Sequence, residues 1–130
     1  MNLQVCIMTP DEIFWNEQAE EIVLPTNTGQ MGVLANHAPI ITALDIGVMS
    51  IRTNKDWTSV ALMGGFALVK QNQVTVLVNS AESKDKIDQS SAETAFLEAQ
   101  EQLEKATSPK EKVEANFTFK RARARYQLVS

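Results

Sequence analysis

The strongest constraint on this chain is where its turn-forming residues fall: all five glycines and three of its four prolines lie between Pro10 and Gly65, and only Pro109 comes later. Glycine and proline punctuate strands and interrupt helices, so two architectures share these 130 residues. In the first, apolar residues recur with a period of two: Leu3, Val5 and Ile7 alternate, as do Val48 with Ser50 and Arg52, and Val74 with Val76 and Val78. That period marks strands. Turn signals at Thr26-Asn27-Thr28-Gly29, Thr53-Asn54-Lys55-Asp56 and Gln71-Asn72-Gln73 separate the runs, which predicts strands over 19–24, 47–53, 57–63, 65–70 and 73–79. Strands so spaced suit a sandwich or barrel. Ile22, Leu24, Val33, Leu34, Ile40, Ile51, Val60, Leu62, Phe66, Leu68 and Leu77 are expected on the inner faces.

From about Asp88 the period becomes helical: Ala92, Ala95, Phe96, Ala99, Leu103 and Ala106 fall on one stripe, surrounded by Glu93, Glu98, Gln100, Glu101 and Glu104. Ser90 with Glu93, and Ser108 with Glu111, have the spacing of capping boxes, the second strengthened by Pro109 at the first helical position. Pro109 cannot continue a helix, so helices over 88–106 and 109–128 are predicted, joined by the tight turn Thr107-Ser108 and therefore antiparallel. The fold class is mainly β with α: a β-sandwich over residues 1–86, then an α-helical hairpin over 87–130. The facing stripe of the first helix holds few large side chains, so the hairpin needs a surface to lie on. It is built to dock and undock.

Composition narrows the function. Met1 leads straight into a strand-like segment without a basic or apolar leader, and no apolar run approaches the ~20 residues that span a bilayer. A chain that is neither secreted nor membrane-spanning by itself is expected. One cysteine, Cys6, and one histidine, His37, rule out an internal disulfide and leave no metal-ligand spacing. No nucleophile with a partner base is apparent, so no enzyme, cofactor or metal is expected. The net charge of −4 argues against nucleic acid as a partner.

Three stretches stand out. Gly29 to Pro39 reads as a glycine-flanked loop with an apolar tip, in which His37 is more readily a backbone-bonded loop residue than a ligand. Gly64-Gly65 reads as a strand bend or bulge. Lys120-Arg121-Ala122-Arg123-Ala124-Arg125 places four cations in the last turns of the second helix, with Arg121 and Arg125 on one face. Glu93, Glu98, Glu101 and Glu104 of the facing helix are available to take those charges.

Taken in order, the run from Thr26 through Pro39, then Met63-Gly64-Gly65-Phe66-Ala67, then Val74-Thr75-Val76-Leu77-Val78-Asn79, then Val113-Glu114-Ala115-Asn116-Phe117 leading into the arginine-rich end, resembles the epsilon-subunit family of the F-type proton-translocating ATP synthase in its chloroplast and cyanobacterial form. The resemblance covers essentially the whole chain. It implies a non-catalytic central-stalk subunit that couples proton flow to ATP synthesis. Its implied partners are the gamma subunit, the c-subunit ring and the catalytic alpha/beta head. Its implied place is the thylakoid membrane, peripheral on the stromal or cytoplasmic side, a chloroplast source being preferred to a cyanobacterial one. Gln30, Met31 and His37 become candidate contacts with the ring or gamma. Arg121, Arg123 and Arg125 become candidate contacts through which the hairpin restrains hydrolysis. Some bacterial relatives bind ATP in the folded hairpin, and Glu82, Ile87, Asp88, Ala92, Arg121 and Arg125 match that motif, but Ser91 replaces its arginine and Glu98 stands where another arginine is found. Weak ATP binding or none is expected. A stand-alone adaptor with a regulatory hairpin is the alternative reading.

Overall fold

A computed structural model describes residues 2–130; Met1 lies outside the described residues. Eight strands come first: β1 (Leu3–Met8), β2 (Ile13–Ala19), β3 (Glu21–Thr26), β4 (Gly29–Leu34), β5 (Ile40–Thr53), β6 (Asp56–Lys70), β7 (Gln73–Val78) and β8 (Ala81–Ser83). A 3-10 turn (Lys84–Lys86) leads to α1 (Gln89–Lys105) and α2 (Pro109–Val129). The hydrogen-bonded strand order is β2-β1-β7-β6-β5-β3-β4, with β8 on β6. All pairings are antiparallel except that of β1 with β7.

The sandwich arises because the long hairpin β5–β6 serves both layers. Gly65–Lys70 pairs with β7, whereas Val60–Leu62 pairs with β8. Between these halves the strand bends at Gly64, whose φ of +85° an L side chain rarely adopts, and at Gly65, where a Cβ would overlap the Leu77 carbonyl oxygen. The bend expected at this dipeptide is present, and it exchanges the faces of the strand. Val60 and Leu62 enter the main core before it, and Ala67 and Val69 after it. Leu3, Val5, Ile7, Val74 and Val76 meet Ile22, Leu24, Met49 and Ile51 in that core.

Seven of the predicted core positions point inward, among them Ile40, which is partly buried. The other four do not: Leu34 is 54% exposed, Phe66 59%, Leu68 42% and Leu77 51%. Phe66 and Leu68 keep the parity of Val60 and Leu62, which the Gly64-Gly65 bend inverts. Leu77 and Leu34 each follow an inward valine, Val76 and Val33, and so occupy the opposite face. The segment after Gly29 is also not a loop as far as Leu34. It forms the edge strand β4, paired with β3 from Thr26↔Gly29 to Glu21↔Leu34.

The hairpin forms as its cap signals require, with one correction. Ser108 caps α2, its Oγ accepting from Glu111 N at 3.1 Å with Pro109 in the first turn. The cap of α1 is Asp88, not Ser90: its Oδ2 accepts from Ser91 N and Ser91 Oγ, both at 2.9 Å. Phe96 stacks on Tyr126 at 5.1 Å between ring centroids and packs against Phe119 at 5.5 Å, which holds the helices antiparallel. Ala92 and Ala99 are buried, whereas Ala95 of the predicted stripe is exposed.

Candidate interaction surfaces

The two layers of the sandwich differ on their outer faces. Ile46, Ala61 and Met63 project from the outside of β5 and β6 and are covered by Ala124 and Leu128 of α2, with Val48 and Ile87 at the margin. On the other layer no such cover is present among the described residues. Pairing registers there place Ile13 beside Met8, Met8 beside Leu77, Leu77 beside Phe66, and Phe66 beside Ala43. The next row on the same face includes Leu68 beside Ile41. Ile41 is 73% and Ile13 60% exposed, so with Phe66, Leu68 and Leu77 they form one apolar surface of about 500 Å², the size of the largest patch on an ordinary monomer. Such a surface is stabilised when another protein removes it from water. No sequence pattern marked it, because Phe66, Leu68 and Leu77 read as core and Ile13 and Ile41 carried no assignment to either face.

Gln30 and Met31 lie on β4, Gln30 exposed opposite Pro25, Met31 half-buried opposite Leu24 and packed on the core. His37 belongs to the following loop, apart from that strand. Its N–H donates to Leu34 O at 3.3 Å and its Nδ1–H donates to Ala38 O at 2.6 Å, the backbone-bonded arrangement expected of a loop histidine. Asn36, at φ +68°, donates its N–H to Asn72 Oδ1 at 2.6 Å, which ties this loop to the β6–β7 turn. Gln30, Met31 and His37 therefore belong to one chain segment but present different chemistry.

The arginine-rich end divides its charges. Arg125 forks onto Glu82 of β8, Nε at 2.9 Å and 3.0 Å from the two carboxylate oxygens and Nη2 at 2.9 Å from Oε2. Arg121 lies over the Phe117 ring at 5.8 Å and Arg123 over Phe119 at 5.2 Å. Among the described residues no ion pair joins α1 to α2, and Glu101 takes Lys105 of its own helix at 2.6 Å. The acids of α1 therefore do not receive the arginines.

The residues that match the bacterial ATP motif have other occupations. Glu82 holds Arg125, Asp88 caps α1 through Ser91, Ile87 packs at the edge of the α2 interface, and Ala92 is buried. The hydrogen bond from Ser91 N–H, then that from its hydroxyl, holds the Asp88 carboxyl below its ordinary pKa. A cavity of about 260 Å³ between the helices is lined by Arg121 and Arg125 but also by Glu98. That is smaller than ordinary ligand pockets, at roughly 300–1,000 Å³, and a polyphosphate there would face a carboxylate. Among the described residues no group of three or more His, Cys, Asp or Glu is placed to hold a metal, and no helix is long and apolar enough to cross a membrane.

Residues 2–84 match the family model for the β-sandwich domain of ATP synthase delta/epsilon chains, and residues 85–130 match that for the long alpha-helix domain of the same chains. The chain is 83% identical over all 130 residues to the chloroplastic ATP synthase epsilon chain of Tupiella akineta, covering the whole of both. It is 72% identical to that of Oltmannsiellopsis viridis, over 99% of this chain and 98% of the relative. Among solved structures, a chain of the Euglena gracilis mitochondrial ATP synthase OSCP/F1/c-ring assembly superimposes with a TM-score of 0.84 at 21% identity, covering 95% of this chain and 78% of that one. A chain of the Tetrahymena thermophila mitochondrial ATP synthase central stalk and c-ring gives 0.68 at 16% identity, covering 100% and 98%. At these identities the structural matches establish the fold.

Proposed function

The chain belongs to the ATP synthase delta/epsilon chain family, and on that premise we propose that it is a non-catalytic central-stalk subunit of a chloroplast ATP synthase, coupling rotation to synthesis and restraining hydrolysis. The uncovered apolar surface around Phe66, Leu77, Leu68 and Ile41 is the observation that carries this reading. A rotor element must be held firmly by its neighbour, and a flat apolar sheet face suits a permanent interface better than a transient one.

In this reading residues 1–86 are the docking unit. Their apolar face lies on the gamma subunit, and the β4 edge with Gln30, Met31 and the His37 loop approaches the c-subunit ring. Residues 87–130 are the regulatory unit. Arg121 and Arg123 offer charge to the alpha/beta head, and Arg125 joins them once it leaves Glu82. The complex is thylakoid-associated, and the chain lies on its stromal or cytoplasmic side, meeting the membrane only through its partners. ATP binds the isolated chain weakly or not at all.

Affinity capture with the tagged full chain from a thylakoid extract tests the assignment. Recovery of alpha, beta and gamma subunits supports it; unrelated partners without them would establish a stand-alone adaptor instead. In a Cys6→Ser background, Gln30→Cys should crosslink to c subunits. Crosslinking to gamma alone would remove β4 from the ring contact.

A further inference from the structure

The hairpin is attached to the sandwich through one helix. α2 packs on β5, β6 and the 3-10 turn, whereas α1 packs chiefly on α2. The apolar part of that attachment is thin: among the described residues, the buried cluster there takes Ala124 and Leu128 from α2. Two ion pairs flank it. Lys120 Nζ lies 3.2 Å and 3.3 Å from the Asp45 carboxylate oxygens, at the point where β5 bends between layers. Five residues on, Arg125 makes its fork onto Glu82 of β8. All four side chains are partly exposed, from 24% to 40%, so water and salt can reach both pairs.

We propose that Lys120–Asp45 and Arg125–Glu82 form an electrostatic latch that sets the posture of the hairpin. With both pairs closed, α2 lies on β5 and β6. When salt or an acidic protein surface competes for Lys120 and Arg125, α2 lifts and carries α1 with it as one unit. Elements with little buried apolar area open below the free energy of global unfolding, and here the charges decide how often. The main core, which contains no residue of either helix, stays closed. The proposal deepens the reading of the hairpin as the regulatory unit, but it is tested on the isolated chain without any ATP synthase, so either reading can fail alone.

The test is amide hydrogen exchange on the full chain, followed by mass spectrometry in peptides from α1, α2, β1 and β7. At low salt, Arg125→Gln and Lys120→Gln should each raise exchange in both helices by roughly three- to tenfold, as expected for a partly exposed charge pair. Protection of β1 and β7 should be unchanged. The double reversal Glu82→Arg with Arg125→Glu should return the helices toward wild-type protection. Raising salt from about 0.05 M to about 0.5 M should move wild type toward the variants and affect Arg125→Gln less. Helix exchange insensitive to both substitutions and to salt would overturn the latch. So would a rise spread equally over β1 and β7, or a double reversal that restores nothing.

Discussion

Replacing Phe66 by alanine should separate partner binding from folding. The ring is 59% exposed on the outer sheet face, opposite Leu77 and Ala43. An aromatic side chain buries about 200 Å² when fully enclosed. Covering the exposed fraction therefore removes about 120 Å² from water, or about 3 kcal/mol at ~25 cal/mol per Å². Alanine keeps a small part of that, so affinity for an ATP synthase depleted of its epsilon chain should fall roughly 30- to 100-fold. The isolated chain, which loses only surface cross-strand packing, should be destabilised by about 1 kcal/mol. Leu97→Ala, a similarly exposed position at 54% but on α1, should change affinity by no more than about twofold. Surface plasmon resonance with the immobilised chain measures the affinities and thermal unfolding measures the stability. Equal affinities for wild type and Phe66→Ala would refute the argument that this face is the docking surface.

Three further outcomes follow from the geometry. Gly65→Ala forces a Cβ onto the Leu77 carbonyl and to within 2.8 Å of Val78 Cα; unfolding should show a loss of at least about 2 kcal/mol. Asp88→Ala should fray the start of α1. Because the folded Asp88 pKa is lowered below 3.8, its contribution is complete above that value and lost as pH falls through the lower folded one. The difference in helix content between wild type and variant, by circular dichroism, should accordingly be full at neutral pH and shrink in strong acid. Titration calorimetry of the full chain with ATP should give no affinity near micromolar, because Glu82 and Arg125 are already paired, Ser91 supplies no charge and Glu98 opposes phosphate. Binding of about −8 kcal/mol would restore a nucleotide sensor.

Local signals carried the architecture. Pro109 and Ser108 fixed the start of α2 because cap chemistry acts within one turn, and the alternation of Leu3, Val5, Ile7 and of Val74, Val76, Val78 followed from a period of two, although the period alone does not say which face is inward and Leu77 was placed there instead of the valines. The misplacement of Phe66 and Leu68 came from running that period through Gly64-Gly65, where the backbone inverts it. The phase after a bulge depends on its geometry, which no residue count contains. Asp88 displaced Ser90 as the cap of α1 because both are good caps and only the entry angle of the chain chooses between them. Arg125 with Glu82, 43 residues apart, and Lys120 with Asp45, 75 apart, were out of reach of any periodicity. Those pairs depend on how α2 crosses the sheet. The role of Gln30 and Met31 was blurred for a related reason, since an edge strand and a glycine-flanked loop look alike until β3 is seen to pair with it.

The most direct test of the account is reconstitution of a chloroplast ATP synthase depleted of its epsilon chain, comparing the full chain with a version ending at Asp88. The main core uses no helical residue, so the shortened chain should fold and bind through the Phe66 face with an affinity close to that of the full chain. The full chain should suppress ATP hydrolysis and the shortened one should not. Equal suppression by both would contradict the assignment of restraint to the hairpin, and failure of the full chain to bind at all would contradict its place in the stalk.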